Sequence, residues 1–303
     1  MKYAKPPLTF AEQADLLISR GLEGDRDLMI ERLSSVNYYR LSGYLYPFRG
    51  SGDSFAQGTA FESVWSRYAF DRRLRLLTLD AIERIEVAVR TWIAYHHSHA
   101  YGPFAYAVDP SSMSKLKGSR RDKFLDHVKD QIADSKEPFA THLRRKYENC
   151  GDFLPVWAAT EVMTFGTILT FYRGTTSRVK RNVANEFGLP AEILESWLLT
   201  LNSIRNICAH HSRLWNRVLG TKPKMPRVRD YPEWHSPVCI ENDRVFGVLT
   251  ICRYCLSQIA PQSGWKDRLE NLIAAFPSVP LLDMGFPPNW RDSAIWRHGS
   301  EVT

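Results

Sequence analysis

The chain lacks any apolar run approaching the roughly 18 uncharged residues that a membrane-spanning helix needs. Its N-terminus, MKYAKPPLTFAEQADLL, has no apolar core after its lysines. Neither a spanning segment nor a secretory leader is expected, and the protein reads as cytoplasmic with no membrane partner. Cysteine is scarce: five residues, at 150, 208, 239, 252 and 255, cannot all pair within one chain and match no common disulfide framework. Reduced thiols follow. There is no glycine-rich phosphate loop and no paired-carboxylate metal motif, which argues against a nucleotide-transferring enzyme. Internal repeats and low-complexity tracts are absent as well.

What is present suits an ordinary globular protein. Over 303 residues, 44% are hydrophobic and 24% charged, far from the composition of disorder, so a sizeable core is expected without help from disulfides or metals. The formal net charge of +7 attracts phosphate polyanions without saying where they bind.

Helical periodicity dominates over alternation, so the expected fold is all-α. Thr9 can cap a helix over Phe10 to Arg20, stopped at Gly21, and a second helix begins near Arg26. NYYRLSGYLYPFRG then breaks at Gly43 and Pro47, its aromatics anchoring a helix pair in preference to stacking bases. From Phe61 to about Ala100 an apolar stripe of Leu74, Leu77, Ala81, Ile85, Ala88 and Trp92 predicts one long amphipathic helix. Asp71, Arg72, Arg75 and Arg84 are expected largely off that stripe, and Gly102-Pro103 ends the helix. Further helices are predicted over Lys123 to Ile132, Phe139 to Tyr147, Val156 to Tyr172, Ser177 to Phe187 and Ala191 to Val218, with a loop at Cys150-Gly151-Asp152. Thr221 to Pro237, with four prolines, reads as a basic loop or arm before helices over Asp243 to Ile259 and Trp265 to Phe276. The division expected is an N-terminal segment (1–60), a helical core (61–220, with an insert at about 103–150) and an arm with C-terminal helices (221–303), together one compact unit.

The chemistry concentrates in LNSIRNICAHHSRLWNR, from Leu201 to Arg217. On a continuous helix Asn202, Asn206, His210, Arg213 and Arg217 fall in a stripe roughly 80° wide, with Ile204, Cys208, Trp215 and Val218 opposite. An exposed polar face or a buried hydrogen-bonded cluster could wear the same pattern. Imidazole and guanidinium together nevertheless suit RNA cleavage. The 2′-hydroxyl loses a proton as it attacks phosphorus, the leaving 5′-oxygen gains one, and charge accumulates on the phosphoryl oxygens between. An imidazole can carry the protons, and a guanidinium holds the phosphate oxygens through paired hydrogen bonds. The nucleophile belongs to the substrate, so no metal or cofactor is called for. His210 is then the general acid or base, Arg205 or Arg213 steadies the phosphoryl group, and Asn206 orients the imidazole or a phosphate. Arg205 stands about 140° around the helix from His210, so either its side chain swings round or a second copy completes the site.

Arg205-Asn206-x-x-x-His210 looks like the Arg-x4-6-His motif of the HEPN superfamily. RNICAHHSRLWNR, with LDAIERIEVAVRT from Leu79 to Thr91 and NYYRLSGYLYPFR from Asn37 to Arg49, resembles the Abi family of phage abortive-infection proteins, the AbiD and AbiF type. The resemblance implies a HEPN-type helical bundle with additional N- and C-terminal helices, acting as a metal-independent endoribonuclease toxin. It implies a homodimer, an RNA substrate and restraint by a small non-coding RNA. The motif roles carry over onto Arg205, Asn206 and His210, with His211 and Arg213 matching the extended block. The rival reading is a non-catalytic RNA-binding or regulatory module on the same scaffold.

Several secondary signals have plainer readings. Glu86 and Arg90 are spaced for an i,i+4 ion pair, with lining the cleft beside His210 as the alternative. His96, His97 and His99 diverge around a helix without supporting ligands, so interaction with the helix dipole is preferred to a metal. Cys252-x-x-Cys255 lies in an apolar helical run and is expected in the core. The basic clusters at Arg120, His142 and Thr221 are candidate surfaces for tracking RNA.

Overall fold

A computed structural model describes residues 6–50, 52–147 and 152–297. The expected loop at Cys150-Gly151 lies outside them. Among the described residues there are α-helices and short 3₁₀ turns but no strands, only two isolated β-bridges, so the fold is all-α. No helix among them is long and apolar enough to cross a membrane.

The chain opens with α1 (Phe10–Ser19), whose N-terminus is a reciprocal capping box. Thr9 Oγ1 accepts from the Glu12 amide at 3.2 Å, while the Glu12 carboxylate accepts from the Thr9 amide at 2.7 Å. Helix α2 (Arg26–Ser35) is capped by Asp25, and α3 (Tyr38–Leu45) by Asn37. Helix α3 runs straight through Gly43, where a break is expected from sequence, and a 3₁₀ turn follows at Tyr46–Phe48. A Cβ at Gly43 would sit 3.4 Å from the Arg213 guanidinium. This glycine serves a close approach, not a bend.

The long helix is α4 (Phe61–Tyr101), 41 residues ended at Gly102 with φ +91°. At 1.5 Å per residue it is about 60 Å long. After it come α5 (Ala105–Val108), α6 (Ser119–Asp134), α7 (Pro138–Lys146), α8 (Val156–Val162), α9 (Phe165–Gly174), α10 (Ser177–Asn185), α11 (Ala191–Ala209), α12 (Val245–Ile259) and α13 (Trp265–Ala275). Helix α4 touches α3, α8, α9, α10, α11, α12 and α13, so it is the axis around which the others pack. Its inner face buries Leu74, Ala81, Ile82, Ile85, Val89 and Ile93. It also buries Asp71 and Arg75, which the apolar stripe alone places outside.

The helix expected over Val156 to Tyr172 is instead α8 and α9. Thr164 interrupts it by taking an extended backbone and capping the second helix, its side chain accepting from Thr167 N. The proline-rich segment 221–237 is tied down: the buried Trp197 indole donates to the Lys224 carbonyl at 2.8 Å, and Asn242 donates to the Pro223 carbonyl at 2.9 Å. Cys252 and Cys255 are fully buried in α12, and burial pushes both thiols well above their usual range.

The three histidines of α4 diverge as expected, with three different fates. His96 meets Glu186 at 2.9 Å and His99 meets the Tyr95 carbonyl at 2.8 Å. His97 is wholly buried against Tyr101 and Phe171, and neither ring nitrogen has a partner among the described residues. Burial pushes its pKa down to about 4 from an ordinary 6.5. The unfolded chain therefore binds a proton as pH falls through 6.5, whereas the folded chain resists until about 4. Stability is retained above pH 6.5 and lost on acidification across that window, by about 3 kcal/mol in all. His97→Leu is expected to flatten this limb by about 2–3 kcal/mol between pH 7 and 4.5 in urea titrations; parallel pH profiles for the two proteins would refute it.

Candidate functional site

Helix α11 ends sooner than its sequence pattern suggests. His210 is the C-cap, at φ −84° and ψ 11°, and His211 turns into the left-handed region at φ +57°. His211 N donates to the Cys208 carbonyl at 3.0 Å and Ser212 N to the Ile207 carbonyl at 2.9 Å. These are the two bonds of a Schellman motif, which usually places glycine where His211 stands. Among the described residues His211 is the one non-glycine with positive φ. A β-carbon there costs roughly 1–2 kcal/mol relative to right-handed backbone.

Beyond the turn the chain is captured by a buried carboxylate. Asp71, fully buried on α4, accepts from the backbone N–H of Leu214 at 3.1 Å and of Trp215 at 2.8 Å. It also accepts from the Tyr44 hydroxyl at 2.5 Å and from the Arg75 guanidinium. Desolvation pushes the Asp71 carboxyl above its ordinary value, and the four donors each oppose that rise. Trp215 is buried, and the Arg67 guanidinium lies over both the Trp215 and Phe48 rings, at 5.2 and 3.9 Å. From the other side, the Arg40 guanidinium donates to the His211 carbonyl at 2.5 Å, and Arg213 donates to the Gly43 carbonyl. The segments Asn37–Arg49 and Arg205–Arg217 thus meet at one place.

The residues singled out from sequence divide accordingly. Asn206 and His210 are exposed on one face of α11, a turn apart, with Asn202 half-buried one turn earlier. The Arg205 guanidinium donates to the Oδ1 of Asn206, its neighbour in sequence, at 3.3 Å. His211 is exposed. Arg213 and Arg217 do not continue the stripe, because the helix has ended. Arg213 is spent on Gly43, and Arg217 Nε donates to the Arg213 carbonyl at 2.9 Å. Val218, expected on the apolar side, is 56% exposed for the same reason.

Glu86 and Arg90 form their i,i+4 pair. Arg90 also donates to the carbonyls of Thr160 and Glu161, closing the C-terminal turn of α8. The pair's contacts are thus with α8 and not with Arg205, Asn206 or His210. No cluster of three or more His, Cys, Asp or Glu side chains able to hold a metal occurs among the described residues.

Asp71, Arg75, Tyr44 and Arg40 escaped the sequence reading. Charges four residues apart on a helix read as a solvated pair, and only the aromatic block at residues 37–49 hinted that something packs there. Behind His210, the Cys208 thiol is buried and pushed up to about 12, chiefly by desolvation, so it is an inert neighbour. The aromatics of the early block split: Tyr44 is buried as an anchor, whereas Tyr39 and Tyr46 are 73% and 68% exposed.

Two outcomes are expected of this geometry. Asp71→Asn leaves Arg75 buried without its counter-charge and turns an amide NH2 toward donors, so unfolding free energy falls by about 3–5 kcal/mol; a loss under about 1 kcal/mol in urea titration would rule out the clamp. His211→Gly relieves the left-handed strain, partly offset by the freer unfolded chain, and raises stability by about 0.5–1 kcal/mol. A lower urea midpoint for His211→Gly would contradict that assignment.

Comparison with known proteins places this geometry in context. Neither a search of curated proteins nor one of solved structures finds a significant match. A family model, described as Abi-like protein, matches residues 31–216. That span runs from α2 through the whole of the Arg40, Asp71 and His210 constellation and past Trp215, and on this match the chain belongs to the Abi-like protein family.

Proposed function

We propose that the protein is an endoribonuclease of the HEPN type, acting in abortive infection, which cuts RNA by attack of the substrate's own 2′-hydroxyl. Membership of the Abi-like family supports the abortive-infection role. The observation that carries the catalytic reading is the solvent-facing Asn206 and His210 at the end of α11, with the Arg205 guanidinium drawn onto Asn206. His210 exchanges the proton at the 2′-oxygen or the leaving 5′-oxygen. Arg205 supports the phosphoryl oxygens as charge builds on them, and Asn206 holds that guanidinium through its side-chain oxygen. A metal ion is not required by this scheme, because the nucleophile arrives with the substrate. His211, exposed next door, offers a second imidazole in a different direction. A homodimer and a restraining small RNA belong to the same proposal and rest on the family resemblance.

The test is direct. Purified protein, freed of bound RNA, is incubated with single-stranded RNA in EDTA, and the ends are mapped. Scission leaving 2′,3′-cyclic phosphates is expected, falling at least about 100-fold in His210→Ala and in Arg205→Ala. RNA binding without scission would replace catalysis by a non-catalytic RNA-binding role.

A further inference from the structure

Two neighbouring grooves flank α11, and their charge is one-sided. The first, about 610 Å³ between α10 and α11, presents Lys180, Arg181 and Lys224. The second, about 520 Å³ between α6 and α9, presents Lys115, Arg120, Lys123 and Arg173. Glu195 lines both, so they adjoin, and Glu192 is the other carboxylate in their walls. Glu195 engages Lys180, and Arg173 at 3.2 Å. Lys115, Arg120, Lys123, Arg181 and Lys224 are exposed and form no ion pair with any described residue. Like charges held together without partners repel, and a bound polyanion relieves that cost. Residues from three separate stretches of chain make up this patch, including two of the basic clusters evident in the sequence. The third, His142 to Lys146, lines a separate depression.

The geometry of α11 connects the patch to the candidate site. Taking 100° per residue, Glu192, Ser196, Leu199, Ser203, Asn206 and His210 lie within roughly 80° of one another. None of the six is buried. The helix face that floors the first groove therefore runs on, unobstructed by a change of side, to the imidazole. Glu195 and His210 are about 22 Å apart along the axis. We infer that the two grooves bind the phosphate backbone of a single RNA strand and lead it along this face of α11 to His210. The inference rests on the ribonuclease reading and adds where the strand lies. The tied-down segment 221–237 has a role in it, since the Trp197 bond to Lys224 fixes one wall.

The test measures binding of a labelled single-stranded RNA of about 20 nucleotides by anisotropy, using full-length His210→Ala protein so that the strand stays intact. Each phosphate contact on a single strand contributes about −0.7 to the slope of log K against log salt. Lys115→Gln/Lys123→Gln/Arg181→Gln/Lys224→Gln, combined, is expected to make the slope about 2.8 shallower and to weaken binding more than tenfold near 100 mM NaCl. Arg144→Gln/Arg145→Gln/Lys146→Gln, away from the grooves, is expected to leave the slope within one of the parent's. All the substituted side chains are exposed, and matching thermal transitions verify that the variants fold. An unchanged slope in the groove variant, or a fall in the control variant instead, overturns the path while leaving the ribonuclease reading standing. A parent protein that neither binds nor cuts RNA overturns both.

Discussion

A carboxylate buried where water cannot reach it governs the shape of the candidate site. Asp71 holds the backbone of Leu214 and Trp215 through N–H groups that would otherwise be unpaired in the core. Hydrogen bonds to a charge in such surroundings are strong when complete and severe when broken. Completeness here depends on Tyr44 from α3 and Arg75 from the next turn of α4. Three elements distant in sequence are thereby committed to one arrangement before any functional side chain is considered. Arg40 and Arg213 add cross-links between α3 and the turn. The loop carrying His210 and His211 is thus closed at both ends, by α11 before it and by Asp71 after it.

Closure of this kind makes an unfavourable backbone conformation sustainable. His211 sits where glycine is usual, and the strain persists because the Schellman bonds and the Asp71 clamp over-determine the turn. A glycine would serve the fold better. What the histidine contributes is an imidazole displaced from the helix face, adjacent in sequence to His210 but aimed elsewhere. Strain held at one residue of a turn fixed at both ends fits the proposed placement of this turn at the active site.

Much of the fold is legible in the sequence, and what is not has identifiable causes. The 41-residue α4 reads directly from its apolar spacing, and Thr9, Gly21 and Gly102 punctuate as their chemistry dictates. Continuing α11 to Val218 fails because the pattern stays in phase past Ala209, while the stop signal is a histidine in left-handed backbone, which no local propensity announces. Thr164 is a cap that hydrophobic periodicity runs over. Gly43 reads as a breaker because glycine's two uses, bending and close approach, look identical in one dimension. Within the site, Asn206 and His210 were legible as a helical pair. The Asp71 cluster was not, because burial of this charge depends on backbone partners 143 and 144 residues away.

The early end of α11 also redistributes the work among the arginines. On an uninterrupted helix Arg213 and Arg217 would stand beside His210 and could share in holding phosphate. Instead Arg213 donates to the Gly43 carbonyl, and Arg217 bonds back to the Arg213 carbonyl. Of the three arginines in this block, Arg205 is the one whose guanidinium bonds to Asn206. One guanidinium and an exposed imidazole give little hold on a long polyanion, for which each phosphate contact adds a modest increment. Affinity for such a ligand must come from elsewhere on the same surface. The unpaired lysines and arginines along α10, α6 and the arm at Lys224 are where this chain has positive charge to offer. On the proposed reading the basic grooves supply binding and the helix end supplies chemistry. The two are joined by α11, whose face lines the first groove and ends at His210.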